Sequence, residues 1–246
     1  MAGIAQGDNY FPLGAPFRKI YRGDQEVDRI YRGDSLVYQK TLGNTASDNF
    51  NRTNANGLGP NWSFYNVSNV NLSTSIVSNM ARSNVQTDDG TFICRCRYDT
   101  TPALADDQYV QAKIGAANNV ASDLFSHIGL RENSPAIGAV AWAVIIDLVN
   151  NTAKITSAIN GTWTARTGTL SAVSVNDVFR LEARGRLFTA YRNGSSIGSW
   201  NDTGNLTAMG SDYLHGGLGT TSKRIFFSNS FSYSLEDWSF GDLAPL

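Results

Sequence analysis

The sequence has almost no excess charge, few histidines and cysteines, and no long apolar run. Lysine and arginine number 20 against 21 aspartates and glutamates, a net charge of −1. Without a basic excess to neutralise a phosphate backbone, we expect no nucleic-acid partner. The apolar runs are shorter than the roughly 18 residues of a membrane-spanning helix, so we expect no membrane insertion. The first residues show no basic segment followed by an apolar one, and no secretory signal is expected.

Cys94 and Cys96 are the only cysteines in the sequence. In a strand they would point to one face, where a direct bridge between them is strained. We therefore expect free thiols, which fits assembly in a reducing cytoplasm.

Uncharged polar residues and glycine are abundant instead. Asn, Ser, Thr and Gly account for 89 of the 246 residues, and charged residues for 17%, against about 25% in an ordinary soluble domain. Because Asn and Gly favour turns and Thr favours strands, the composition predicts an all-β fold.

From residue 48 onward, short alternating apolar runs are separated by Asn-Gly, Gly-Arg and Asp-Gly turns. This spacing is typical of an antiparallel sandwich or barrel. In the predicted strand 178–184, Phe179, Leu181 and Ala183 share one face, which we assign to the core. Residues 106–115 fit either a strand or a single helical turn.

The N-terminal part carries a short repeat. The motif IYRGD occurs at residues 20–24 and again at 30–34, and each copy reads as strand, Gly-Asp turn, strand. This pattern predicts a β-meander over residues 17–43, a docking module that packs on something else. The Arg-Gly-Asp triplets fit turns better than integrin-binding motifs. Residues 1–16 contain several Gly and Pro breakers and no period, which predicts an extended arm that orders against a partner.

Several short motifs, in their order along the chain, resemble concanavalin A-like jelly-roll domains, of the lectin and glucanase type, in phage minor tail proteins. They are DNFNR at 48–52, LGPNW at 58–62, a strand–turn–strand at 179–201, GLG at 217–219 and EDWSFGD at 236–242. The resemblance covers about residues 46–242. The IYRGD repeat also resembles a module found near the N-termini of phage tail and fibre proteins.

The resemblance implies an antiparallel two-sheet jelly-roll sandwich over residues 46–242, preceded by the meander and the arm. Its first strand, at 48–52, would lie beside its last, at 235–240. The resemblance further implies a virion protein located in the phage tail. Its partners would be other tail or virion proteins, further copies of itself in a homo-oligomer, a trimer in the family, and a host cell-wall glycan.

Adhesion to host cell-surface glycans is the function that this resemblance implies. The alternatives are a purely structural decoration protein of the capsid or tail, and a glycan depolymerase. A glycan-binding surface needs an exposed aromatic ring on which a pyranose stacks, with polar groups nearby for its hydroxyls. The candidate glycan-binding residues are Trp163, which follows the Asn160-Gly161 turn, and Trp200, which ends an outward strand, together with Tyr191 and Tyr213. The alternative for these rings is an interface with a neighbouring subunit.

Residue patterns of known catalytic centres are absent from the sequence. The only histidines, His127 and His215, lie in no metal-binding spacing, and we expect His127 to be a strand residue with a satisfied ring. Glycoside hydrolysis needs two carboxyl groups about 5–10 Å apart. Glu132, Asp147 and Glu182 instead stand alone in separate predicted strands. We therefore predict a protein without enzymatic activity.

No cofactor is expected, and the alternative is a structural calcium ion at the last strand. In jelly-roll relatives a structural Ca²⁺ uses a carboxylate on the last strand, because Ca²⁺ prefers about six to eight oxygen ligands. Asp237 stands at the matching place, with Asp48 on the opposing strand. The alternative is that Asp237 is a solvated or hydrogen-bonded carboxylate.

Overall fold

The structure, a computed structural model, describes two compact units, each taken by itself. They comprise residues 1–42 with 244–246, and residues 43–243. The described residues are 43–65, 74–116, 124–133, 152–159 and 162–243, together with the backbone of the strands within 3–39 and 143–149. Among them, no helix is long and apolar enough to cross a membrane.

The described part of the first unit is three separate antiparallel hairpins. They pair β1 (Gly3–Gln6) with β2 (Asn9–Pro12), β3 (Tyr21–Arg22) with β4 (Gln25–Glu26), and β5 (Arg29–Arg32) with β6 (Ser35–Gln39). A hairpin thus stands where the sequence predicted an extended arm, because Ile4, Tyr10 and Phe11 favour strands despite the Gly and Pro breakers. The two IYRGD copies form separate hairpins, and their Gly-Asp turns lie outside the described residues.

The second unit contains two antiparallel sheets, which we call sheet A and sheet B. Sheet A consists of β7 (Thr45–Asp48), β9 (Thr74–Val77), β10 (Met80–Ser83), β12 (Gln108–Ile114), β18 (Val178–Arg184), β19 (Leu187–Arg192), β20 (Ser195–Asn201) and β23 (Leu235–Asp242). Its order is β20, β19, β18, β12, β23, β10, β9, and β7 also pairs with β23.

Among the described residues, sheet B has nine strands. They are β8 (Trp62–Tyr65), β11 (Gly90–Tyr98), β13 (Phe125–Glu132), β14 (Ala143–Val149), β15 (Thr152–Ile159), β16 (Thr162–Ala165), β17 (Ser171–Ala172), β21 (His215–Ile225) and β22 (Ser228–Phe231). The order is β16, β15, β14, β13, β21, β11, β8; β17 pairs with β15, and β22 with β21. A short 3₁₀ helix, Ser211–Tyr213, precedes β21. This architecture confirms the predicted all-β, antiparallel two-sheet sandwich.

Alternating burial explains why the strands of sheet A form. In β18, Phe179, Leu181 and Ala183 are buried and their neighbours are partly exposed, which confirms the predicted core face. Residues 106–115, which fitted either a strand or a helical turn, contain strand β12. Its even-numbered residues are buried, and its odd-numbered residues are half-exposed. A period of two places one face of each strand against the opposite sheet.

An aromatic cluster joins sheet B to the last strand of the sandwich, which pairs with the first strand. β7 pairs with β23 in a register that sets Asp48 opposite Trp238, which confirms the predicted neighbours, although the first strand ends at Asp48 and does not begin there. The Trp62 ring lies 4.7 Å from the Trp238 ring and 5.1 Å from that of Tyr98. All three rings are buried, so Trp62 and Trp238 are structural.

The buried thiols lie on the core face of β11. Cys94 and Cys96 are both free, with their Sγ atoms 3.7 Å apart. Their residue spacing in a strand gives this arrangement, and the prediction of free thiols is confirmed.

A β-bulge in β13 redirects the end of that strand. Gly129 pairs with Gly217, and the next register pair joins Glu132 to His215, so β13 uses one residue more than β21. Arg131 takes the left-handed conformation there, with φ 58°. Because the bulge shifts the alternation by one residue, Glu132 returns to the same face of sheet B as His127.

Candidate functional site

The outer face of sheet B, turned away from the core, is concave. The Arg95 guanidinium of β11 lies 5.9 Å from the Trp163 ring of β16, although four strands separate β11 from β16 in the sheet order. In a flat sheet these strands would be about 24 Å apart, at about 4.8 Å per strand. The sheet therefore curls over this face and forms a groove, which we call the sheet B groove.

Two glycines of β21 make room on the groove floor. A Cβ atom at Gly219 would lie 2.1 Å from Cε1 of His127, and one at Gly217 would lie 3.0 Å from Cγ of Glu132. The side chains of β13 therefore lie across β21, over backbone that carries no side chain of its own. Glycine inside a strand often marks such a close approach.

A buried ion pair spans the floor. Nη2 of Arg95 donates to Oε2 of Glu132 at 2.6 Å, and both side chains are almost completely buried. Burial raises the pKa of Glu132, and the Arg95 charge opposes that shift only in part. The Tyr65 ring lies 5.1 Å from the Arg95 guanidinium, and its hydroxyl donates to the carbonyl of Asn133. Burial raises the pKa of Tyr65, which keeps the phenol protonated.

His127 lies beneath the aromatic rim of the groove. Its ring is 5.2 Å from the Trp163 ring, which also lies 5.1 Å from the ring of Phe125. His127 is fully buried, and neither ring nitrogen has a hydrogen-bond partner among the described residues. Burial, with the Arg95 charge, holds the pKa of His127 well below its usual value, so the ring is neutral. The expectation of a satisfied ring is wrong, because the imidazole lies among rings and over glycine backbone.

Other polar atoms of sheet B share this lack of partners. Within the described part of the chain, Nε of Arg95, Oε1 of Glu132 and Oγ1 of Thr156 are buried without a hydrogen bond. Buried polar groups are nearly always paired, so a cluster of unpaired atoms is unusual and singles out the groove floor. From the sequence, Glu132 is expected to be an isolated strand carboxylate, and this cluster is not predicted. Gly217 and Gly219 inside a strand were the available signal.

The four predicted glycan-binding residues do not form one surface. Trp163 lies at the groove and is half-buried. Tyr191 lies on the outer face of sheet A, with its hydroxyl 3.4 Å from a Glu182 oxygen, and Tyr213 belongs to the 3₁₀ helix. Trp200 needs a correction: it stacks on the buried Phe188 ring at 5.4 Å and packs against the core. Its register partner in β19 is Phe188, which places Trp200 on the inner face.

The predicted calcium position is occupied by a hydrogen-bonded carboxylate. Oxygens of Asp48 accept hydrogen bonds from Arg52 at 2.6 and 2.9 Å, from Nε1 of Trp62 at 3.0 Å and from the Phe50 N–H at 2.9 Å. Burial alone would raise the pKa of Asp48, but these donors hold it below its usual value.

Asp237 is exposed, with φ 47°, and lines with Asp48 an open pocket of about 370 Å³. In the described ranges no group of three His, Cys, Asp or Glu residues could hold a metal ion. Asp48 forms an ion pair with Arg52, and calcium at this position stays a prediction.

This antiparallel two-sheet sandwich with one concave outer face is a jelly roll, with the same fold as the solved structures described below. The chain belongs to the family described as "Domain of unknown function (DUF7257)", whose model matches residues 27–246. No curated protein matches the chain in sequence.

Solved structures share the fold. One is a prokaryotic β-1,3-1,4-glucanase (lichenase) derived from a mouse hindgut metagenome, with 10% identity and a TM-score of 0.52, covering 82% of this chain and 99% of that one. Another is a LamA variant from Z. galactanivorans in complex with laminaritriose and laminaritetraose, with 9% identity and a TM-score of 0.52, covering 80% and 98%. The likeness confirms the jelly-roll architecture and, at such identities, establishes the fold alone.

Proposed function

We propose that this chain is a non-enzymatic minor tail protein of a bacteriophage, whose jelly roll adheres to host cell-surface glycans through the sheet B groove. The observation that carries the proposal is the groove itself: a half-exposed Trp163 ring above a buried floor with unpartnered polar atoms. Jelly rolls with the same fold include one solved with bound laminaritriose and laminaritetraose.

The groove combines the two kinds of contact that a sugar needs. A pyranose stacks its apolar face on an indole, and its hydroxyls need donors and acceptors. Trp163 supplies the ring, and the floor fixes its position, since Phe125 and His127 pack on the indole. A single shallow contact of this kind is weak, but several copies on one particle gain about 10²–10⁴ in avidity.

Bond cleavage is not part of the proposal. Hydrolysis of a glycosidic bond needs two carboxyl groups about 5–10 Å apart. Glu132 is hydrogen-bonded to Arg95, and the nearby charged groups that act on its pKa are the cations Arg95 and Arg97. Although burial raises the pKa of Glu132, no second carboxylate is among the main influences on that pKa, as the carboxyl pair of a glycosidase would require.

The location in a phage tail is supported by the motif resemblance and by the organisation of the chain. The IYRGD hairpins belong to a unit separate from the sandwich, as suits a docking module for other tail proteins. Assembly in the host cytoplasm fits the free buried thiols. The decoration role without glycan binding remains the alternative.

A binding assay with matched variants tests the proposed groove. The full chain is titrated with host cell-wall polysaccharide and with a glycan array, and Trp163→Ala is compared with Tyr191→Ala, on the outer face of the other sheet. We expect Trp163→Ala to weaken binding at least tenfold and Tyr191→Ala to leave it unchanged. Binding that survives Trp163→Ala, or no binding to any glycan, would refute the groove assignment. Release of reducing ends from the bound glycan would refute the absence of catalysis.

A further inference from the structure

The turn between β21 and β22 presents an apolar knob to solvent. Ile225, Phe226 and Phe227 are 53%, 77% and 91% exposed, and Phe226 adopts a left-handed φ of 56°. We call these three residues the knob. A contiguous exposed apolar patch with two aromatic rings marks an interaction site more often than it marks ordinary surface.

Arg224 holds the knob in one conformation. Its Nε donates to the Phe226 carbonyl at 3.0 Å and its Nη1 to the Gln86 carbonyl at 2.6 Å. Its guanidinium also lies 5.8 Å from the Phe227 ring. The turn is therefore preorganised, which lowers the entropy cost of inserting the rings into a partner.

A recess lies beside the hairpin that carries the knob. It has a volume of about 310 Å³ and is lined by Asn56, Val77, Arg82, Ser83, Asn84 and Val85. The backbone N–H of Gln86 donates to Oδ1 of Asn229 in β22 at 3.0 Å, which ties the rim of the recess to the knob hairpin. Val85, on that rim, is 60% exposed.

Arg82 gives the recess a specific preference for an aromatic ring. Its guanidinium lies 4.6 Å from the Phe231 ring of β22, and its Nε is buried without a partner among the described residues. A planar guanidinium has two faces, and the face opposite Phe231 can receive a second ring. Val77 and Val85 supply apolar walls.

We propose that the knob of one copy inserts into the recess of a second copy, forming a two-fold dimer. Because the recess borders the knob hairpin, a two-fold rotation can bring each knob to the other copy's recess and close the assembly. Knob and recess together comprise nine residues per copy, against about 20–30 per side in a standard stable interface. We therefore expect a weak, concentration-dependent dimer.

Sedimentation velocity of the full chain over a wide range of concentration tests this dimer. The double variant Phe226→Ser with Phe227→Ser, and separately Arg82→Ala, should raise the dimer dissociation constant at least tenfold. The control is Leu104→Ser, since Leu104 is also exposed, at 54%, but lies outside the knob and recess. Thermal unfolding should stay unchanged in the double variant, because its side chains are solvated.

A chain that is monomeric at every concentration, a trimer, or a dimer unaffected by these variants would overturn the proposal. So would a monomer that binds phosphatidylglycerol vesicles through Phe226 and Phe227, which would assign the knob to a lipid surface. Neither result depends on glycan binding, so the proposed dimer and the proposed glycan-binding groove are tested independently.

Discussion

Alanine at Gly219 tests whether the groove floor is as closely packed as the geometry indicates. A Cβ atom there would lie 2.1 Å from Cε1 of His127 and 2.4 Å from the backbone carbonyl oxygen of Cys94. The imidazole can rotate away, but the carbonyl belongs to the neighbouring strand and cannot. Gly168→Ala is the matched control, because a Cβ at Gly168 meets nothing within 4 Å.

Overpacking of a well-packed site costs about 1–3 kcal/mol, and the backbone contact places Gly219→Ala at the upper end. For a unit of this size each kcal/mol shifts the melting temperature by about 2–4 °C. We therefore expect Gly219→Ala to lower Tm by about 6–12 °C at the upper-end cost, and Gly168→Ala to leave it nearly unchanged. Thermal unfolding followed by circular dichroism measures both.

A double-mutant cycle separates the two contacts. His127→Ala should relieve the side-chain clash, so the double variant with Gly219→Ala should cost less than the sum of the single changes. Equal melting temperatures for Gly219→Ala and Gly168→Ala would refute the close approach of β13 over β21. Strict additivity in the cycle would refute the position of the His127 ring over Gly219.

Three further predictions concern the buried groups. Arg95→Leu leaves Glu132 buried and unpaired and should lower the free energy of unfolding, measured in urea, by about 3–5 kcal/mol. Leu at both positions should recover part of that loss. An unchanged urea midpoint for Arg95→Leu would contradict the ion pair. Because burial lowers the pKa of His127, the contribution of this residue to stability is complete above about pH 6.5. Below that pH it falls by up to about 1.4 kcal/mol per pH unit. Urea unfolding at several pH values should therefore show that His127→Phe loses less stability in acid than the wild type. Cys94 and Cys96 are buried and should react with a thiol reagent only after unfolding; fast labelling of the native chain contradicts their burial.

The sandwich was predictable where period-two alternation is unbroken. Strand β18 has the bounds expected from sequence, because Phe179 and Leu181 alternate with charged residues and Gly185 closes the turn. The position of Trp200 was not predictable in this way. A register shift between Ala190 and Tyr191 changes which residues of β20 face inward.

The groove floor depends on contacts between strands distant in sequence. Arg95 and Glu132 are 37 residues apart, and a bulge at Arg131 brings Glu132 to the groove side. Neither the pairing of β11 and β13 with β21 nor the bulge leaves a local pattern. Alternation fixes the faces of a regular strand, whereas curvature and bulges arise from packing between sheets.

The most direct test of glycan binding in the sheet B groove is a crystal structure of the full chain with the oligosaccharide that it binds most tightly. We predict a pyranose ring stacked on Trp163 in this groove, with hydroxyls directed at the floor. A sugar bound on the outer face of sheet A beside Tyr191, or a groove that stays free of sugar while the ligand binds elsewhere, would contradict it.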